Sequence, residues 1–115
     1  MIKKKASYTV QENENMRGGE GVVRIEHLHT PEELYEKGRL YAKITLEPGC
    51  SVGYHVHEDE MESYYIISGE AEISDNGEPV LLTAGDTILT RSGEGHSAKN
   101  IGKHPLEMIA LILYK

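Results

Sequence analysis

The chain has 115 residues, a net charge of −7, one cysteine and seven tyrosines, and it lacks both phenylalanine and tryptophan. This length suits one domain around a single core and argues against two, and the acidic balance excludes nucleic acid and anionic membrane as expected partners, since phosphate surfaces require clustered Lys and Arg. The lone Cys50 rules out an intramolecular disulfide and suits a reducing compartment.

The start, MIKKKASYTV, is basic but leads into no apolar region of about 7–15 residues, and no stretch approaches the ~18 apolar residues of a membrane span. The expected location is the cytoplasm. Residues 1–21 are polar, with ENEN and RGGEG and no discernible period, and read as an N-terminal arm or extended lead-in to a single domain over 22–115. Thr30, Pro31 and Glu33 form a capping-box start with proline in the first helical position, which predicts one short helix of about two turns ending at Gly38. The remainder reads as short strands: VVRIEHL, LYAKITL, SVGYHVH, SYYIIS, EAEIS, PVLLT, DTILT, GHSAKN and LEMIALILY, separated by EPG, SDNG, AGD and RSGEG. That spacing predicts an all-β sandwich or barrel. Asp75-Asn76-Gly77 predicts a tight hairpin, because Asn and Gly tolerate positive φ.

The stretch HVHEDEMESYYIISG, His55 to Gly69, carries the densest chemistry. Alternation puts His55 and His57 on one strand face and Val52, Tyr54 and Val56 on the other. Alone, such a pair reads more simply as solvent-facing polar side chains. Here Glu58 to Met61 reads as a polar turn, with Glu58, Asp59 and Glu60 aimed at solvent, and SYYIIS returns as the next strand, which brings Glu62 opposite the histidines. His96, entered through the loop Arg91–Gly95, offers a third imidazole. Three neutral imidazoles and a carboxylate form a ligand set for divalent first-row metals that leaves positions open to water or substrate. Tyr64 shares Glu62's face and is a candidate cavity residue, whereas Tyr65 faces away. His27 and His29 repeat the H-x-H spacing without partners and read as a strand end, His104 reads as an exposed turn residue, and Cys50 reads as an inert small hydrophobe.

The spacing Gly49-x5-His55-x-His57-x4-Glu62-x6-Gly69 resembles the first cupin motif at every defined position. Gly85-x5-Arg91-x-Gly93-x2-His96-x3-Asn100 resembles the second, with Arg91 where proline is usual. From Gly49 to Asn100 they span 52 of 115 residues, of which fifteen, Glu70 to Ala84, lie between them. The resemblance implies a cupin-type jelly-roll barrel, or double-stranded β-helix, holding a divalent transition metal (Mn, Fe, Ni, Zn or Cu) through His55, His57, Glu62 and His96. Arg91 replaces a residue that would fix φ in the loop; it brings a cation toward the barrel mouth, where it or Tyr64 would orient an anionic ligand. The implied function is binding or transforming a small organic acid, sugar or phenolic compound, with decarboxylase, dioxygenase and isomerase precedents. The alternatives are a non-catalytic ligand- or metal-binding or sensing module, and a barrel that has lost its metal and serves for dimerisation. No general base stands outside the ligand set. Apolar residues on both faces of SYYIIS and EMIALIL predict an external cover, hence a homodimer, with the N-terminal arm a candidate to cross to the partner.

Overall fold

Residues that alternate between apolar and polar along most of the chain give the architecture its strands. The computed structural model describes residues 1–115 and contains β1 (Thr9–Glu14), β2 (Val22–His27), β3 (Gly38–Leu46), β4 (Ser51–Val56), β5 (Glu60–Ser68), β6 (Glu70–Asp75), β7 (Glu78–Thr83), β8 (Thr87–Thr90), β9 (Gly95–Asn100) and β10 (Leu106–Tyr114). One sheet runs β1-β2-β3-β10-β5-β8 and the other β4-β9-β6-β7, and every pairing is antiparallel. The two sheets enclose one core as a jelly roll, the expected double-stranded β-helix. No helix is long and apolar enough to cross a membrane.

Without Phe or Trp the core is aliphatic, and Tyr64 is its single aromatic side chain. Inward positions along β3 are Ala42, Ile44 and Leu46, and along β10 they are Leu106, Met108, Ala110 and Ile112, all nearly inaccessible. Burying each of the larger ones stabilises the fold by about 1.5–3 kcal/mol. Along β5 the inward residues change from Glu62 through Tyr64 to Ile66. This gradient leaves one end of the barrel apolar and the other polar, and the polar end is where chemistry is placed. The predicted β6–β7 hairpin forms with Asn76 and Gly77 at φ 52° and 93°.

Three local expectations are corrected. The capping box at Thr30 forms, with the Thr30 N–H donating to the Glu33 carboxylate at 2.8 Å and the Glu33 N–H donating to Thr30 Oγ1 at 3.2 Å. No helix follows it. Tyr35 and Glu36 are both left-handed at φ 56°, and Gly38 already begins β3. Tyr35 is exposed and Leu34 only partly buried, so no apolar stripe exists to dock a second turn.

The polar lead-in, read as lacking a packed element, contains β1, an edge strand paired with β2 of the same chain from Thr9↔His27 to Glu14↔Val22. A short turn, Met16–Gly18, then lies against β4. The third correction concerns Val52. β4 carries one extra residue against β9, since Val52 pairs with Ala98 but His55 pairs with His96. This bulge reverses the alternation between them, so Val52 is buried on the same side as His55 instead of opposing it.

Candidate metal centre

Each imidazole reaches the polar end of the barrel on a different support. His55 sits just after the β4 bulge, directly opposite His96 on β9. Its Nδ1 lies 2.8 Å from the Gly53 carbonyl. A carbonyl only accepts, so Nδ1 carries the proton and Nε2 presents a lone pair. His57 follows β4 and is locked by its own backbone, its N–H donating to Glu94 O at 3.0 Å and its carbonyl accepting from the Gly93 N–H at 2.7 Å. Its Nδ1 lies 2.6 Å from Glu60 Oε2. His96 Nδ1 is 2.9 Å from the hydroxyl of Thr90 on β8, and its ring stacks on Tyr64 with centroids 4.9 Å apart and planes 8° from parallel. Glu62 enters from β5.

The inner atoms then converge. His96 Nε2 lies 3.1 Å from His57 Nε2 and 3.2 Å from His55 Nε2. Glu62 Oε1 lies 3.0 Å from His57 Nε2 and 2.9 Å from His96 Nε2. The four ligand atoms all fall within 4.8 Å of one another. Imidazole nitrogens held this close repel unless a proton or a metal cation lies between them. Edges of 3.1 and 3.2 Å are what two donors about 2.2 Å from a common ion, at right angles, would give. The donor set therefore fits a divalent transition metal. His57, Glu62 and His96 are almost wholly buried, and His55 is partly so.

Electrostatics favour the coordinating forms of two of these groups. Burial alone would raise the Glu62 carboxyl, but hydrogen bonds from His57 and His96 more than offset that and hold it at about 2. Burial lowers the His55 imidazole, which is thus neutral at physiological pH. His57 is raised, first by its hydrogen bond to Glu62 and then by Glu60, with burial opposing. Burial pushes the Tyr64 hydroxyl well above its ordinary value, and the neighbouring Glu62 adds to this, so it stays a donor.

Above the cluster opens a cavity of about 220 Å3. Leu40, Ile44, Val52 and Ile112 form an apolar wall, and the lead-in contributes Gln11, Asn13, Met16 and Arg17. His55, His57, Glu62 and Tyr64 line the cavity, and His96 completes the cluster behind them. Arg91 lies elsewhere: it is exposed and borders a separate hollow with Glu60, Met61, Ser92 and Lys115, and the cations lining the cavity are Arg17 and Arg39. The loop it occupies is closed without proline, because the Arg91 N–H donates to the Glu94 carboxylate at 2.8 Å, a bond that proline could not make. His27 lines the rim beside Gln11, at 3.1 Å, outside the ligand cluster.

Glu60 is the functional residue that the turn reading misplaced. It is the first residue of β5, not part of a solvated turn, and it bridges His57 to Arg39, which donates to it at 2.8 and 2.7 Å. Arg39's hydrogen bond, with His57's after it, holds the carboxyl at about 2 against burial. Glu60 lies two residues from Glu62, so the alternation that placed Tyr64 also signals Glu60.

Comparison with known proteins points the same way. The family model described as Cupin domain matches residues 42–112. A protein of Thermotoga maritima named an oxalate-binding protein is 45% identical over 113 residues, which span 98% of this chain and 93% of that protein. The crystal structure of a predicted oxalate decarboxylase from Thermotoga maritima superposes with a TM-score of 0.96 at 44% identity, covering 100% of both chains. KdgF from Halomonas sp. shares the fold at a TM-score of 0.74 and 20% identity, over 97% of this chain and 91% of that one.

Proposed function

From the premise that the chain belongs to the cupin family, we propose that it binds a short organic acid, with oxalate as the leading candidate, at a divalent metal held by His55, His57, Glu62 and His96. One observation carries this reading: three imidazole Nε2 atoms and one carboxylate converge beside a small cavity. A bound ion would supply a Lewis acid with positions open to a carboxylate oxygen. The chain's own residues do the rest. Gly53, Glu60 and Thr90 hold the three rings in place, Tyr64 offers a permanent hydroxyl donor, and the apolar wall limits water in the cavity. The name of the Thermotoga relative supports oxalate as the ligand.

Binding is favoured over turnover because the cavity lining has no carboxylate besides Glu62, and Glu62 belongs to the metal. Glu60 is committed to Arg39 and His57. A proton donor for decarboxylation is therefore missing among the acids. The test is metal analysis of untagged protein followed by calorimetry with oxalate. We expect about one equivalent of metal after reconstitution and oxalate binding that chelation abolishes. Failure to retain metal, or release of CO2 and formate from oxalate, would overturn the proposal.

A homodimer is supported by the outer face of the six-stranded sheet. Tyr65, Ile67 and Leu89 are 41–48% exposed there, alongside Ile109 and Leu111 of β10. Light scattering at micromolar concentration should give twice the chain mass, and a monomer would refute it. The free thiol of Cys50 suits the cytoplasm.

A further inference from the structure

We propose that Arg17 is the specificity-determining residue of this site, pairing with the far carboxylate of a short dicarboxylate whose near end faces the metal. The inference rests on the acid-binding reading above and names the residue that would select a dianion over a monoanion.

Charge counting leads to Arg17. A divalent ion beside the Glu62 carboxylate retains one positive charge. Arg39 adds nothing to the cavity, because two hydrogen bonds of 2.8 and 2.7 Å tie its guanidinium to Glu60. Arg17 makes no ion pair within the chain, although it lines the same cavity. A bound ion and the exposed, unpaired Arg17 would give one small cavity two unmatched positive charges, which suits a ligand with two carboxylates. A monocarboxylate satisfies one and leaves the other to solvent.

The position of Arg17 is built, not incidental. Asn15 and Arg17 both adopt left-handed backbone, at φ 50° and 56°, which non-glycine residues seldom do. The turn is closed by the Gly18 and Gly19 N–H groups donating to Asn15 O and Met16 O, each at 3.0 Å. Two glycines let it press on β4: a Cβ at Gly53 would stand 2.0 Å from Arg17 O, and one at Gly19 would stand 2.3 Å from Ser51 O. The Gly53 carbonyl also holds His55 Nδ1 at 2.8 Å. The backbone of Arg17 and the support of His55 are therefore registered to the same bulge.

The test measures oxalate and formate binding by calorimetry to Co2+-loaded wild type, Arg17→Gln and Arg17→Lys. Loss of a pair to this exposed guanidinium should weaken oxalate about threefold to fivefold in Arg17→Gln, with formate and Co2+ affinity changed less than about twofold. Arg17→Lys should keep part of the preference, since the charge remains but the two-pronged geometry does not. It also serves if the glutamine variant misfolds. Oxalate binding that is unchanged in both variants, or oxalate and formate weakened equally, overturns the role of Arg17 alone. A loaded wild type that binds neither acid overturns the reading beneath it as well.

Discussion

Replacing Glu60 with glutamine tests whether the carboxylate serves His57 or merely anchors Arg39. Glu60 Oε2 lies 2.6 Å from His57 Nδ1, and the two carboxylate oxygens take the Arg39 guanidinium at 2.8 and 2.7 Å. Arg39 is the largest cause of Glu60's low pKa. Yet the Arg39 side chain is 39% exposed, so solvent screens that half of the arrangement, and the His57 side chain is only 2% exposed. The Arg39 pair is thus worth about 0–1 kcal/mol, and the charge-assisted bond to buried His57 about 1.5–3 kcal/mol. A carboxylate behind a ligating imidazole fixes the ring and raises its basicity, and losing one weakens metal binding about 10- to 100-fold, or roughly 1.4–2.8 kcal/mol. Glu60→Gln should therefore bind Zn2+ 10- to 100-fold more weakly in competition with a chromophoric chelator, while Arg39→Gln should stay within about threefold of wild type. A Glu60→Gln protein with wild-type affinity, or an Arg39→Gln protein weaker than it, would refute the assignment.

His57→Ala and His96→Ala should each abolish stoichiometric metal in elemental analysis, and His29→Ala should not, because His29 stacks on Tyr41 at 5.8 Å and lies outside the cluster; equal loss in all three would mean the wrong histidines were chosen. Apparent metal affinity should rise with pH through and above 6.5, by about tenfold per unit while His57 still holds its proton, since Glu62 and Glu60 raise its pKa and a ligand must be deprotonated. Metal-free protein should show the opposite trend: a raised histidine stabilises below 6.5 and loses that contribution as pH climbs through its folded value. His55, lowered by burial, acts in the other direction only below 6.5. A metal-free melting temperature that climbs above pH 6.5 would contradict this. At the acid end, Glu62's contribution is present above 4.5 and fades as pH falls toward about 2. Gly53→Ala drives a Cβ to 2.0 Å from Arg17 O, a backbone atom that cannot swing away. It should cost about 1–3 kcal/mol, read as a lower melting midpoint, and an unchanged midpoint would show that the turn is not seated on the bulge.

Alternation along a strand is legible where its two faces meet different surroundings, which explains both the successes and the failures here. Most strands from β2 to β10 line an apolar core on one side, so their spacing was readable, and His55, His57 and Glu62 followed from the same period; β7 is exposed at all but one position and was legible only as the apolar run PVLLT. β1 has no such contrast: TVQENE meets solvent on one face and a polar cavity on the other, and its burial is nearly uniform. Glu60 obeys the period of Glu62, but it sits in a run of three acids, and a run of charge reads as a turn; the true turn is Glu58 and Asp59, with Asp59 left-handed at φ 58°. The bulge in β4 left one trace, a glycine inside a strand. Arg17 and Arg39 show a different limit. Both are cations near one cavity, and only the pairing of Arg39 with Glu60 separates the neutralised one from the free one, a distinction made by strands far apart in sequence. The four candidate ligands are held by strand register inside the barrel, whereas Arg17, proposed to read the far end of the acid, stands on the lead-in.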